Sequence, residues 1–442
     1  MKFKNILYTL LFFPAFLFSQ HSIKISFSPA EDYNWAILYK NSPTEDLYVA
    51  QGKIENGNLT FTLDSTATKG IYKVVYAAPQ HVYNFDVIYN SEEDIELTFN
   101  MTEGAIFKKS NENILLNNYL GEFMDLGEKL DAIYKQPRID TTAIVDIYTR
   151  QRELQNTYER NSEGKIVTHF IKANHPYIPK KYETPDQYIK NYMRNNFNHV
   201  DFTDPILQSS NLLQEKSLIY ILSNIVEETN NQNSYNNNID TILSLLQKTD
   251  PLYQKAFLDN LWQKLISYKY DETANYLAIK GLIPISKELN DTKLVLKLTQ
   301  YINLSIGSVA PNFSWETFEN GNTKTHQLNE LAVAENYILI FWSSACSHCL
   351  KEIPLLRDFA QTLDGTKYKV MAIGLEDSAE PWKKEIEKYP AFIHVLKLKK
   401  WDNTIVNNYG LTSTPTYFVL DRDKKFIAKP KNLEELKLFI KK

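Results

Sequence analysis

The spacing of apolar residues changes twice along the chain, and those changes limit the possible folds more than any composition value. From about residue 22 to 103 apolar side chains recur at every second position, in short runs such as Ser22-Ile23-Lys24-Ile25-Ser26-Phe27 and Leu59-Thr60-Phe61-Thr62-Leu63. Period two, with Pro29, Asn41, Pro43 and Gly70 between the runs, predicts strands, and Asn56-Gly57 is a hairpin signal. The expected fold over 20–103 is a small antiparallel β-sandwich. From about 104 the apolar residues recur at three and four, as in Leu116, Tyr119, Leu120, Phe123, Leu126 and Leu130. That period predicts an amphipathic helical region over 104–303. Within it, the asparagine-rich stretch 230–238 reads as a solvated loop, because asparagine competes for the backbone and packs poorly. His169, His175 and His199 have no carboxylate motif at metal spacing, so they read as surface or internally paired histidines.

From 304 to 442 strand-like and helix-like runs alternate. Tyr337-Ile338-Leu339-Ile340-Phe341-Trp342 and Lys369-Val370-Met371-Ala372-Ile373-Gly374-Leu375 are buried-strand patterns. Between them Ile353, Leu356, Ala360 and Leu363 make one helix face. Trp382, Ile386 and Tyr389 mark a second helix. A third, capped by Asp402, carries Ile405 and Tyr409. Thr416–Leu420 and Phe426–Ala428 form a hairpin pattern, and Leu433, Leu436 and Ile440 a final helix. The alternation predicts a central sheet with helices on both faces, an α/β domain. The whole chain is therefore expected to be multidomain.

The first 19 residues have the order of a cleavable signal peptide: a basic start at Lys2 and Lys4, an apolar stretch from Ile6 to Phe18, and the small Ser19 at the cleavage point. A periplasmic or otherwise exported protein is expected, with no stable membrane span after cleavage. A net charge of −4 gives no electrostatic case for nucleic acid.

The only two cysteines in 442 residues stand three apart, in Cys346-Ser347-His348-Cys349, directly after an apolar strand. At a strand-to-helix junction such a pair can close and open reversibly, which points to a redox centre. Cys346 at the helix N-terminus is the expected attacking thiolate, favoured by unpaired N–H groups and the helix dipole. Cys349, nearly one turn on and more shielded, is the expected resolving thiol. His348 would add a positive or hydrogen-bonding contribution beside the first thiolate. Stabilising that thiolate makes the disulfide more oxidising.

These residues resemble the thioredoxin superfamily, and within it the exported TlpA/ResA-like thiol–disulfide oxidoreductases. The matching pieces are Gly307-Ser308-Val309-Ala310-Pro311-Asn312-Phe313, Phe341-Trp342, Cys346 to Pro354, and Tyr409-Gly410-Leu411-Thr412-Ser413-Thr414-Pro415-Thr416. The resemblance implies that Pro415 is a cis-proline facing the dithiol and that the Thr414 backbone pairs with an extended substrate segment. It also implies that Glu352 mediates proton transfer with the buried second thiol, that Pro354 kinks the helix, and that Trp342 supports the pair from the strand. Two positions depart from relatives. Ala345 replaces a tryptophan before the first cysteine, and Ile340 stands where thioredoxin has a buried aspartate.

No metal or other cofactor is expected. The expected partners are exported proteins with disulfides or thiols and an electron-donor thiol protein. Two other readings stay open: a metal-binding or delivery module using Cys346, Cys349 and His348, and a binding protein whose redox domain is accessory. Peroxidase chemistry is disfavoured, because Leu339 and Ser343 do not supply the expected proline-and-threonine context.

Overall fold

A computed structural model describes residues 21–223, 231–319 and 321–441. The expected signal peptide lies outside the described residues, as does Asn230. The chain divides into two compact units, one ending at Ile285 and one running from Ser286.

The first unit begins with eight strands: β1 (Ser22–Phe27), β2 (Trp35–Asn41), β3 (Asp46–Lys53), β4 (Asn58–Thr62), β5 (Gly70–Val75), β6 (Asn84–Tyr89), β7 (Ile95–Asn100) and β8 (Gly104–Lys109). They form two four-stranded sheets, ordered β4-β1-β7-β8 and β3-β2-β5-β6. Alternate residues of both sheets enter one apolar cluster, including Ile23, Ile25 and Phe27 from one and Ala36, Leu38 and Val74 from the other. Three sequence expectations change here. The first sheet is not purely antiparallel, because β1 and β7 pair in parallel, Ile23 opposite Ile95. Period-two spacing fixes which side chains face inward but carries no strand direction. Second, Asn56 and Gly57 do form a tight turn, both with positive φ (51° and 77°), but it closes only the Glu55–Asn58 bridge. β3 and β4 then leave into different sheets. Third, β8 occupies positions expected to be helical. Gly104, at φ 75°, turns the chain back so that Ala105 and Phe107 pair with β7.

Helices follow: α1 (Asn111–Tyr134), α2 (Thr141–Ser162), α3 (Val167–Ala173), α4 (Pro185–Arg194), α5 (Pro205–Gln208), α6 (Leu212–Ile221), α7 (Asn231–Leu246), α8 (Pro251–Ser267) and α9 (Asp271–Leu277). The unit ends within α10 (Ile283–Glu288). The expected asparagine-rich loop is corrected for residues 231–238, which belong to α7. Asn238 is buried, and its amide donates to the carbonyls of Tyr220, Ile221 and Ser223. Tertiary hydrogen bonds there outweigh the residue's weak helix propensity. The three histidines of this region have partners: His169 contacts Asp204, His175 contacts Glu159 at 3.3 Å, and the His175 and His199 rings stack at 4.0 Å.

The second unit holds α11 (Thr292–Asn303), a hairpin of β9 (Ser314–Glu319) and β10 (Asn322–Gln327), β11 (Asn336–Trp342), α12 (Ser347–Ala360), β12 (Tyr368–Glu376), α13 (Ala379–Ile386), β13 (Ile393–Leu398), α14 (Thr404–Asn408), β14 (Thr416–Leu420), β15 (Phe426–Ala428) and α15 (Leu433–Ile440). Five strands make one sheet, ordered β13-β12-β11-β14-β15, with β11, β12 and β13 parallel and β14 antiparallel to β11. β11 is buried on both faces. Tyr337, Leu339 and Phe341 enter one core with Met371, Ile373, Ile405 and Tyr409. Ile338, Ile340 and Trp342 enter the other with Ile353, Leu356, Trp382 and Leu436. Helices thus cover both faces, as the alternation predicts. Gly374 is required by a close approach: a Cβ there would lie 2.2 Å from Trp382 Nε1. Ahead of the sheet, Gly307–Ala310 runs along Lys424, Lys425 and Phe426, which lead into β15, with Gly307 N–H donating to the Phe426 carbonyl at 2.7 Å and Ala310 N–H to the Lys424 carbonyl at 2.8 Å.

The cap of α14 is Asn403, whose side chain accepts from Ile405 N–H, and not Asp402. Asp402 belongs to a preceding short 3-10 turn. The hairpin β9–β10 and the edge strand β13 have no counterpart among the sequence expectations. Their apolar residues are too few, or too mixed with lysine and histidine, to give a clear period.

Candidate active site

The dithiol sits where the most buried strand of the second unit meets its longest covering helix. β11 ends at Trp342, and Ser343 to Ala345 carry the chain to Cys346, which caps α12 from extended backbone (φ −95°, ψ 114°). Cys346 Sγ accepts a hydrogen bond from Cys349 N–H at 3.4 Å. The capping role is thus taken by a sulfur, on an otherwise unpaired helix donor. Cys346 is partly exposed and Cys349 fully buried, and both are free thiols.

The two thiols are driven in opposite directions. Burial raises the Cys346 pKa, but hydrogen bonds from the Cys349 side chain and N–H, from Thr414 and from His348 N–H outweigh it and set it below the ordinary thiol value. Burial pushes the Cys349 thiol up to about 12, with the neighbouring Cys346 adding to the rise. The His348 contribution runs through its backbone N–H, while its side chain lies in an exposed residue.

Facing the pair is the bend before β14. The Thr414–Pro415 peptide is cis, and Cys346 Sγ donates to the Thr414 carbonyl at 3.4 Å. Trp342 is fully buried in the apolar cluster that also holds Cys349. Glu352, half-buried one turn further along α12, accepts from Tyr417 O–H at 3.1 Å and from Leu433 N–H, the first residue of α15, at 2.8 Å. Ala345 is exposed at the rim, and Ile340 is fully buried below it.

Two residues that sequence reasoning passed over belong to this site. Glu376, at the end of β12, is buried and accepts from Ser344 N–H at 2.6 Å, Ser344 Oγ at 3.0 Å and Ser343 Oγ at 3.3 Å. It holds the loop that delivers Cys346. The only sequence signal was an acid closing an otherwise apolar strand. Tyr417, on β14 opposite Ile340, reads as ordinary core in an apolar run. Among the described residues no group of three or more His, Cys, Asp or Glu is placed to hold a metal ion. Nor is any described helix long and apolar enough to cross a membrane.

A family model described as thioredoxin-like matches residues 335–426. The thiol-disulfide oxidoreductase ResA of Bacillus thuringiensis is 26% identical over 147 residues, which is 33% of this chain and 82% of that protein. Among solved structures, a domain of a possible thiol-disulfide isomerase from Cytophaga hutchinsonii is 32% identical, covering 31% of this chain and 91% of its own, with a TM-score of 0.27. The thioredoxin domain of a thiol-disulfide oxidoreductase from Bacteroides vulgatus is 25% identical, covering 31% and 96%, also at a TM-score of 0.27.

Proposed function

We propose, starting from a C-terminal region that is a thioredoxin-like oxidoreductase domain, that this chain is an exported enzyme exchanging disulfides with other exported proteins through Cys346 and Cys349. The observation that carries the reading is the asymmetry of the pair, one thiol capped and lowered at a helix N-terminus and the other buried and raised. Cys346 thiolate attacks a substrate disulfide, forming one S–S bond and releasing the first substrate thiolate. Cys349 then attacks Cys346 Sγ, closing the internal disulfide and releasing the second. Two electrons pass from the enzyme dithiol to the substrate, and a donor thiol protein restores the dithiol.

The Thr414 backbone beside cis Pro415 is the proposed docking edge for an extended substrate segment. Trp342 supports the pair from beneath, and the helix-start N–H groups, including that of His348, hold the thiolate. Residues 1–19 are read as the export signal, the two sheets, which end with β8 at Lys109, as a β-sandwich, and the helices that follow as a helical domain ahead of the redox domain at 304–442. These two preceding parts are assigned no chemistry.

The test uses the reduced protein with insulin-type substrates whose disulfides are intact. Cys349→Ser accumulates a mixed disulfide on Cys346, and Cys346→Ser accumulates none and loses turnover. Cys349→Ser trapping no partner while the wild type retains stoichiometric zinc or copper would replace this reading with a metal-binding one. The reduction potential sets direction: a value near about −270 mV marks a reductase, and one toward about −120 mV an oxidant.

A further inference from the structure

We infer that the first unit carries a binding site for a guanidinium group, set between the β2–β3 turn and helices α5, α6 and α8. The site shares no residue with the dithiol and does not depend on its chemistry.

A cavity of about 250 Å³ lies there, walled by the ends of β2 and β3, by the residues that lead from α5 into α6, and by one face of α8. The carboxamides on this wall have committed their nitrogens to the protein. Asn41 donates to Asp86 Oδ1 at 3.3 Å, Gln208 to the Phe202 carbonyl at 2.8 Å and Gln263 to Asp259 Oδ2 at 3.1 Å. A carboxylate or a carbonyl only accepts, so each amide is fixed in orientation and has its carbonyl oxygen left to offer a ligand. The hydroxyls follow the same sense, with Ser209 Oγ donating to the Pro205 carbonyl at 2.7 Å and Ser210 Oγ to the Leu207 carbonyl at 2.8 Å. Asp86 also accepts from Asn211 N–H at 2.6 Å, which ties Asn41 to the start of α6.

Three oxygens on this wall lack a donor. Asn41 is 6% exposed, and its Oδ1, together with Gln214 Oε1 and Asn260 Oδ1, is buried and accepts from no described residue. A buried acceptor without a donor is costly, so three on one wall point to a donor from outside the chain. Asp46 and Asp259 add carboxylates. Among the described residues that line the cavity Lys73 is the one cation, and Asp46 holds its Nζ at 2.9 Å.

Such a wall suits a ligand that brings positive charge and many donors. A guanidinium presents five N–H donors in one plane, has no acceptor and is weakly hydrated, whereas an ammonium directs three donors from one strongly hydrated point. Tyr253 and Phe257, both on the wall, give a planar cation an aromatic surface to stack on. The group could come from a small guanidino solute or from an arginine side chain of a peptide, and the chemistry recognised is the same.

Isothermal titration calorimetry on the full-length protein tests the site at low salt and pH 8, where Asp86, raised to about 7 by burial, is ionised. N-acetyl-arginine amide is expected to bind at least about tenfold more tightly than N-acetyl-citrulline amide, whose urea keeps the shape without the charge. It should also bind about fivefold or more tightly than Nα-acetyl-lysine amide. Asn41→Leu removes one oxygen and Asp259→Asn one charge, and each weakens binding of the arginine compound by at least about fivefold. Asp259 is only partly buried, so its variant decides the matter even where Asn41→Leu fails to fold. Tighter binding of an end-blocked alanine peptide with one central arginine assigns the site to a peptide side chain, and equal or weaker binding assigns it to a small solute. Equal affinity for the arginine compound and either its citrulline or its lysine counterpart overturns the inference. So does unchanged binding in Asp259→Asn, or calcium chloride binding where the arginine compound gives no heat.

Discussion

Two cysteines less than one helical turn apart are given opposite acidities by their surroundings. Cys346 gains donors from the first turn of α12, and Cys349 loses water. Alkylation of the reduced protein with iodoacetamide, read by peptide mass spectrometry, should therefore label Cys346 at least tenfold faster than Cys349 at pH 7. A lowered thiol pKa leaves more of Cys346 as the reactive thiolate at a given pH than an ordinary cysteine has, and that thiolate is lost as pH falls through the lowered midpoint. A raised one keeps Cys349 protonated and unlabelled until pH approaches about 12. Equal labelling at pH 7 would contradict this asymmetry. At this scale the sulfur pair was legible because its three-residue spacing is itself the chemistry. Tyr417 was not, since its partner Glu352 lies 65 residues away and no local spacing records a contact across the sheet. Glu376 was hidden in the same way, 32 residues from the serines it holds.

The elements that could be read from sequence are those whose two faces have unambiguous neighbours. β11 from Tyr337 to Trp342 and β12 from Val370 to Leu375 are unbroken apolar runs, so their burial on both sides follows directly. Strand β13, with His394 and Lys397 among its six residues, and helix α7, which begins in asparagine, owe their form to contacts made elsewhere in the chain. Direction in the first sheet was likewise unreadable, because the parallel pairing of β1 and β7 leaves the same inward pattern that an antiparallel pairing would. Packing between elements gives a sharper test at Gly374, where β12 and α13 meet. The Trp382 indole occupies the space a Cβ would need, with Nε1 at 2.2 Å and Cδ1 at 2.5 Å. Gly374→Ala should lower stability by about 1–3 kcal/mol through overpacking. Calorimetric melting would show it as a lower Tm, and an unchanged Tm would mean that the indole relocates at no cost.

Over the whole molecule, the dithiol, its facing proline and the acids around them all lie within the unit that starts at Ser286. That unit has apolar cores on both faces of its own sheet. A fragment covering 286–442 should fold and release thionitrobenzoate from 5,5′-dithiobis(2-nitrobenzoic acid) at a rate within about threefold of the full chain. A fragment starting at Pro311 is expected to behave differently, although it keeps every residue of the site. It lacks Gly307–Ala310, the segment whose backbone pairs with Lys424, Lys425 and Phe426 at the start of β15. Without that segment the Phe426 N–H and the Lys424 and Phe426 carbonyls lose their partners at the start of β15, and an open strand edge is a template for another chain. Light scattering at matched concentration should show self-association of the shorter fragment and not of the longer one. The same four residues that resemble a family signature in sequence thus act physically as a selvedge, finishing the weave so that one molecule's sheet cannot be extended by the next.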